Sequence, residues 1–301
     1  MKSVFITGAS GYVGSYLVRD LVSKGYCVNV LVRKNSNLST LQEIKTKIKI
    51  HEFSGNTLEL INLFELVKPE IVYHVASMFV SNHVSDQLND IIDSNVLFGT
   101  QLLEAMKVSK CSKMVNIGTS WQHYDNSMYN PVCLYAASKK AFADIIEYYT
   151  QAEGLDVITP ELYDTYGRVD KRKKLLPKLK EIASSGEIIN MSGGKQKIEL
   201  VHIDDLISAI VRAGEIVDLS SGHQIYDIGS KEPITLIELV KLIECQSKMT
   251  LNVKFGLREY RPREVFVPWN KYRDLPGWSP KIKLSDGIKS YFDEDGLNDG
   301  L

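Results

Sequence analysis

The sequence is short of most features that mark a membrane, secreted, metal-binding or nucleic-acid-binding protein. No apolar run approaches the 18 residues that a membrane-crossing helix needs. Its four cysteines, Cys27, Cys111, Cys133 and Cys245, are widely scattered, with no CxxC pair and no Cys/His spacing for zinc. No metal site is expected, and all four cysteines read as core filling or bland surface. Lysine and arginine number 36 against 37 aspartates and glutamates, a formal net charge of −1, so no global field favours nucleic acid or an anionic membrane. One local exception is the basic run Lys171, Arg172, Lys173, Lys174, which reads as a solvated loop or, alternatively, a contact to a phosphorylated substrate. The first strand begins within a few residues of Met1, which leaves no room for a signal peptide. A cytoplasmic protein is expected.

What is present is an ordinary globular composition, 44% hydrophobic and 24% charged over 301 residues, long enough for a main domain that carries a smaller one. Apolar runs at 4–6, 27–32, 48–53, 71–75, 113–117 and 157–162 read as strands. Between them lie helical patterns that begin at Tyr16 and at 58–67, 95–108 and 135–151. Strands alternating with helices of this length demand parallel pairing with crossover helices on both faces. The expected fold class is therefore α/β, a Rossmann-type doubly wound parallel sheet with a smaller C-terminal α/β substrate domain. After about residue 163 the rhythm changes: 175–184, 202–214 and 236–247 read as helical, and 224–228 as a strand returning to the sheet. The expected division is 1–163 for the dinucleotide-binding domain, with 199–230 crossing back to it, and 164–198 plus 231–301 for the substrate domain. The acidic tail 293–301 is expected to fray.

Gly8, Gly11 and Gly14 follow the first strand and open the first helix, and that setting gives the glycines their meaning. Gly8 permits a tight turn, Gly11 lets the backbone approach a pyrophosphate, and Gly14 allows close helix packing. An anionic pyrophosphate would sit on the free N–H groups of the helix N-terminus. The expected cofactor contacts of this turn are Gly8, Ser10, Gly11, Tyr12, Val13 and Gly14. NAD enzymes usually place a carboxylate at the end of the second strand. Here that strand ends Arg33-Lys34-Asn35-Ser36, with no acid at all. Arg33, Lys34 and Ser36 suit a 2′-phosphate, and Arg33 can also stack on adenine. NADP (NADPH) is the expected cofactor; the alternative is a solvated turn with relaxed cofactor choice.

Tyr135 and Lys139 lie at i and i+4 and so share one helix face. A phenol with its ordinary pKa of about 10 is a poor base at neutral pH. A neighbouring ammonium is expected to lower it into useful acid–base range.

With these residues in view, the sequence resembles the extended short-chain dehydrogenase/reductase family over nearly its whole length. The resemblance rests on the stretch from Thr7 to Gly14, on His74-Val75-Ala76-Ser77, on Asn95-Val96 with Gly99-Thr100, and on Tyr135-Ala136-Ala137-Ser138-Lys139. Tyr166-Gly167 and His202-Ile203-Asp204-Asp205 extend it into the second half. It implies Tyr135 and Lys139 as the catalytic pair. Ser120, counted back from Tyr124, is the implied hydroxyl partner, with Thr119 as the fallback. Asn95 is implied as the asparagine that supports the lysine through water. Ala76 and Ser77 would line the cofactor, and Asn56 with Thr57 would lie near adenine, where relatives commonly carry an aspartate.

Extended members mostly act on nucleotide-activated sugars, so a nucleotide-sugar substrate is implied. Trp121, Gln122, Asp164, Leu176 and Arg261 are its expected contacts. A guanidinium fork matches a diphosphate, although Arg261 to Glu264 also reads as an ion-paired loop. Similar dehydratases carry an Asp-Glu pair after the hydroxyl residue; Trp121 and Gln122 stand there instead, so dehydration is not expected. The last third, with Arg263-Glu264 and Leu275-Pro276-Gly277-Trp278, is similar to reductases that make CDP-linked dideoxy sugars. The expected activity is NADPH-dependent reduction of the 4-keto group of a nucleotide-diphosphate-linked (di)deoxy-hexose. The alternatives are an NAD(P)-dependent nucleotide-sugar epimerase, a reductase of a non-nucleotide carbonyl, and a non-catalytic cofactor-sensing protein, which would commonly lose the Tyr/Lys pair.

Several positions depart from the family pattern. Glu161-Leu162-Tyr163-Asp164 stands where members carry Arg-Leu-Phe-Asn, Arg168 replaces a proline, and Ile198 replaces an arginine. A homodimer is implied through helices 95–108 and 135–151, with Phe98, Leu102, Met106, Phe142, Ile146 and Tyr149 as an apolar stripe, which an ordinary core would equally use.

Overall fold

The computed structural model describes residues 2–170, 172, 174–219, 221–271 and 273–293. Lys171 and Lys173 of the basic run and the tail 294–301 lie outside the described residues. The first half alternates as the sequence pattern demands: β1 (Ser3–Thr7), α1 (Tyr12–Ser23), β2 (Cys27–Arg33), β3 (Ile48–Phe53), α2 (Thr57–Val67) and β4 (Ile71–His74). A long helix follows in three pieces, α3 (Leu88–Ile92), a π-turn (Asp93–Leu97) and α4 (Phe98–Ser109). Then come β5 (Lys113–Asn116), β6 (Gly118–Thr119), α5 (Leu134–Glu153) and β7 (Asp156–Leu162). The second half is made of β8 (Asp164–Tyr166), α6 (Leu175–Ser185), β9 (Ile189–Asn190), β10 (Lys197–Ile198), β11 (Leu200–His202) and α7 (Ile203–Ile216). It ends with β12 (His223–Ile228), β13 (Ile234–Thr235), α8 (Leu236–Ser247), β14 (Val253–Lys254) and α9 (Leu284–Asp293).

The main sheet has the order β12-β7-β5-β4-β1-β2-β3, with β6 continuing the β5 line beside β7. All its pairs are parallel. This is a Rossmann-type doubly wound sheet, whose ligand crevice lies at the carboxyl ends of the strands where the order reverses, here between β1 and β4. Alternation along β1 divides the core: Val4 and Ile6 enter one cluster with Leu17, Val30 and Ile210, and Phe5 enters another with Phe64, Leu102 and Phe142. A third cluster, with Leu176, Leu179, Leu239, Ile243 and Ile288, is the core of the smaller part.

Three expectations change. The helix read as 95–108 begins at Leu88, and Asn95 sits inside its π-turn. The fifth strand is interrupted at Ile117, and its two pieces, β5 and β6, both pair with β7. Leu102, Met106, Phe142, Ile146 and Tyr149 all lie in the second core cluster, with Phe98 packed against it. Of the two uses of the apolar stripe, the described residues show the core one: it is spent on the chain's own core.

Candidate functional site

The three glycines of the first turn are each held by a close approach or by openness. Gly8 adopts φ +71°, and a Cβ there would stand 2.5 Å from the amide nitrogen of Ala76. A Cβ on Gly14 would stand 2.1 Å from the carbonyl oxygen of Gly8. Only glycine lets the turn, α1 and the end of β4 close on one another. Gly11 is exposed and precedes α1 without any side-chain cap, so the first N–H groups of the helix have no side-chain acceptor. A pyrophosphate fits this cradle.

The other expected cofactor residues surround it at the same end of the sheet. Ser10 accepts the Thr40 hydroxyl through its carbonyl at 3.2 Å, and Tyr12 and Val13 open α1, half-buried. Arg33 and Lys34 are exposed at the end of β2, in a turn closed by the Arg33 N–H donating to Ser36 Oγ at 3.0 Å. Asn56 caps α2, its Oδ1 accepting from the N–H groups of Leu58 and Glu59 at 2.8 and 3.3 Å. Thr57 Oγ1 accepts from Gln101 Nε2 at 3.0 Å. Ala76 donates its N–H to Thr7 Oγ1 at 3.3 Å.

Asn95 has a more complete role than the family resemblance implies. Its Oδ1 accepts from Ser77 Oγ at 3.1 Å and from the Met78 N–H at 2.7 Å. Its Nδ2 donates to the Met78 carbonyl and to Ser138 Oγ, both at 3.0 Å. Two acceptor and two donor positions fill the amide. Asn95 thus ties the loop after β4 to α5 next to Lys139, with protein atoms in all four positions.

Tyr135 and Lys139 are both buried, 9% and 2% exposed. The Tyr135 hydroxyl hydrogen-bonds with the side chains of Ser77 and Thr119. Ser120, one residue on, lines the adjacent cleft instead. Burial pushes the Tyr135 phenol up to about 12 against those two hydrogen bonds, and it pushes the Lys139 ammonium down to about 8. The expectation that the ammonium lowers the phenol is therefore corrected: burial raises the phenol, and the groups that pull it down are Ser77 and Thr119, not Lys139. A phenol held neutral is the form that can give a proton to an oxygen beside it.

A cleft open to solvent begins one residue beyond Thr119, at Ser120; Tyr135 and Lys139 themselves do not line it. Trp121, Asp164 and Arg261 line it with Ser120, His123 and Trp269. Arg261 does form the ion-paired loop, with Nη2 2.8 Å from Glu264 Oε1, and its guanidinium lies 5.5 Å above the Trp121 ring. Asp164 is 3.2 Å from Lys174 Nζ. Gln122 and Leu176 are not brought to the cleft: Gln122 is 3% exposed with its amide on Glu161, and Leu176 belongs to the core of the smaller part. The sequence reading missed Phe79, whose ring meets Tyr135 edge-on at 5.0 Å and Trp121 at 5.4 Å. An aromatic residue two positions after Ser77 was its only signal in the sequence. Among the described residues no group of three or more His, Cys, Asp or Glu could hold a metal ion, and no helix is long and apolar enough to cross a membrane.

The turn, the parallel sheet and the Tyr–Lys pair together define an enzyme of the nicotinamide-dinucleotide class. The chain belongs to the NAD dependent epimerase/dehydratase family, the extended short-chain dehydrogenases/reductases; the family model matches residues 4–229. It is 31% identical to the CDP-abequose synthase of Yersinia pseudotuberculosis over 297 residues, 95% of this chain and 98% of that one. Its fold is similar to UDP-glucose 4-epimerase of Thermotoga maritima with UDP-glucose (TM-score 0.85, 21% identity, 98% and 100% of the two chains). It is also similar to dTDP-glucose 4,6-dehydratase of Bacillus anthracis str. Ames in complex with NAD (TM-score 0.84, 20% identity, 99% and 98%).

Proposed function

We propose that the protein reduces the 4-keto group of a nucleotide-diphosphate-linked (di)deoxy-hexose at the expense of NADPH. The observation that supports this reading is the setting of the phenol: it is buried and neutral, it hydrogen-bonds with Thr119 next to the cleft residue Ser120, and the positions after Ser120 hold Trp121 and Gln122. The phenol can deliver one proton to a carbonyl oxygen, and those two positions hold no acid–base pair for an elimination. A nicotinamide dinucleotide with its pyrophosphate on the glycine turn would supply the hydride. Tyr135 would hold its proton at Oη and pass it to the substrate oxygen, with Thr119 or Ser120 hydrogen-bonding that oxygen. Lys139 would hold the nicotinamide ribose and, as a cation, favour the phenolate left behind.

NADPH is preferred over NADH in this reading because Arg33 and Lys34 are exposed at the end of β2 with Ser36 in the same turn and no carboxylate. The parts 164–198 and 231–301 are read as the substrate domain, with Arg261 turned to the diphosphate. The likeness to CDP-abequose synthase across almost the full length supports a deoxysugar nucleotide. A cytoplasmic homodimer remains part of the proposal. Nucleotide-sugar epimerisation is the second reading, favoured by the family model and by a 26% identical UDP-glucuronate 4-epimerase of Thermodesulfobacterium geofontis that covers 96% of this chain. A thermal-shift panel of CDP-, dTDP-, GDP- and UDP-sugars with NADPH present identifies the nucleotide, since a specific ligand stabilises by mass action. With that ligand's 4-keto form, Tyr135→Phe is expected to cut turnover by about 10²- to 10⁴-fold while NADPH still binds. Unchanged turnover in Tyr135→Phe would overturn the reading.

A further inference from the structure

Glu161 stands on β7 opposite Gly118, where the family pattern has an arginine. A Cβ on Gly118 would lie 2.9 Å from Glu161 Cγ, so the missing side chain leaves Glu161 room beside β6. The carboxylate is 4% exposed and both its oxygens are used. Oε1 accepts from Gln122 Nε2 and Oε2 faces His123 Nε2, each at 2.8 Å. The other ring nitrogen of His123 lies 3.2 Å from the Ser127 carbonyl. A carbonyl and a carboxylate only accept, so a ring bonded to both carries a proton on each nitrogen. The ring also stacks on Trp269, with centroids 4.1 Å apart and an interplanar angle of 20°.

Gln122 and His123 directly follow Ser120 and Trp121, and Ser120, Trp121, His123 and Trp269 all line the cleft. We propose that Glu161 is the positioning residue of this wall: by accepting from Gln122 and from a doubly protonated His123, it holds the Ser120–Trp121 turn and the Trp269 ring in place beside the cleft. The arrangement substitutes an acid on the strand and a base on the loop for the arginine of the family pattern. Its functional meaning rests on the reading of the cleft as the substrate site; its physical content does not.

Burial pulls the His123 ring down, and the hydrogen bond and charge of Glu161 outweigh it, leaving the ring above the ordinary histidine value. Several other groups face the pair. The Asp227 carboxyl on β12 is pushed up to about 6, chiefly by burial, and accepts the Arg273 N–H at 2.8 Å. Tyr163 donates its hydroxyl to the Trp269 carbonyl at 3.0 Å, with Asp227 Oδ1 3.4 Å from the same oxygen. Lys271 lies over the Trp269 ring at 5.4 Å.

The test uses the full chain without substrate, so that failure of the proposed reaction leaves it decisive. The His123 C2–H resonance is titrated, and amide exchange of residues 119–127 is followed against pH after correction for intrinsic rates. In the unaltered protein, exchange in this segment should quicken as pH rises through the His123 midpoint, while the glycine turn 8–14 stays protected. In E161A exchange in the segment should be about tenfold faster or more at pH 6. In E161Q the amide can donate to a neutral ring, so the His123 midpoint should fall by at least about one pH unit. The segment should then regain its protection, now independent of pH. An unchanged His123 midpoint in E161Q, or pH-independent exchange in the unaltered protein, overturns the proposal. If E161A fails to fold, E161Q alone decides.

Discussion

Tyr135 and Lys139 stand one helical turn apart, and the same desolvation moves them in opposite directions, the phenol up to about 12 and the ammonium down to about 8. A buried cation of this kind works against folding. Below about pH 8 folded and unfolded chains both carry its proton, and the cost of burying it is fully present. Between about pH 8 and the ordinary lysine value of 10.5 only the unfolded chain holds that proton, so this group's contribution to stability rises with pH across the window. Lys139→Met should therefore raise stability at pH 7 by about 1–2 kcal/mol and flatten the rise above pH 8, while turnover falls at least about 100-fold. Urea melts at pH 7 and pH 9.5 check the first part, and steady-state assays check the second. A variant less stable at pH 7 would show that Lys139 is held by favourable contacts that outweigh its desolvation.

The elements bring these residues together through close approaches. β1 turns at Gly8, α1 packs on the turn at Gly14, and β2 ends in two exposed cations. Gly14→Ala forces a Cβ to 2.1 Å from a backbone oxygen, so a loss of more than about 2 kcal/mol is expected in denaturant melts. A wild-type midpoint in that variant would mean the helix can move away from the turn. Arg33→Ala should weaken NADPH about tenfold or more, the scale of one charge-assisted hydrogen bond, and leave NADH nearly unchanged. Equal losses for both cofactors would assign Arg33 to adenine stacking alone. The order of elements was legible because strand and helix periods differ so clearly in 1–163. Asn95 was legible as a residue but not as the centre of a π-turn, since a rare turn of five residues is too short to be told from an α-helix by its apolar pattern. The Glu161–His123 pair was hidden for another reason: the two are 38 positions apart, and only the sheet register brings them face to face.

At the scale of the whole molecule, two clusters flank the sheet and a third forms the smaller part, with the cleft lined from both the sheet end and the segment 261–269. Sequence periodicity reached the first two clusters and told less about the third, whose short strands and loops carry little pattern. Of the residues expected at the substrate, Trp121, Asp164 and Arg261 share the cleft, whereas Gln122 and Leu176 are turned inward. Their burial depends on tertiary packing that a loop motif cannot encode. The most direct test of the central claim follows NADPH absorbance while a 4-keto-deoxysugar nucleotide, chosen by the ligand panel, is turned over. The account predicts NADPH lost mole for mole with ketone, in a reaction that Tyr135→Phe nearly stops. Conversion of the sugar without net loss of NADPH would contradict it and establish an epimerase.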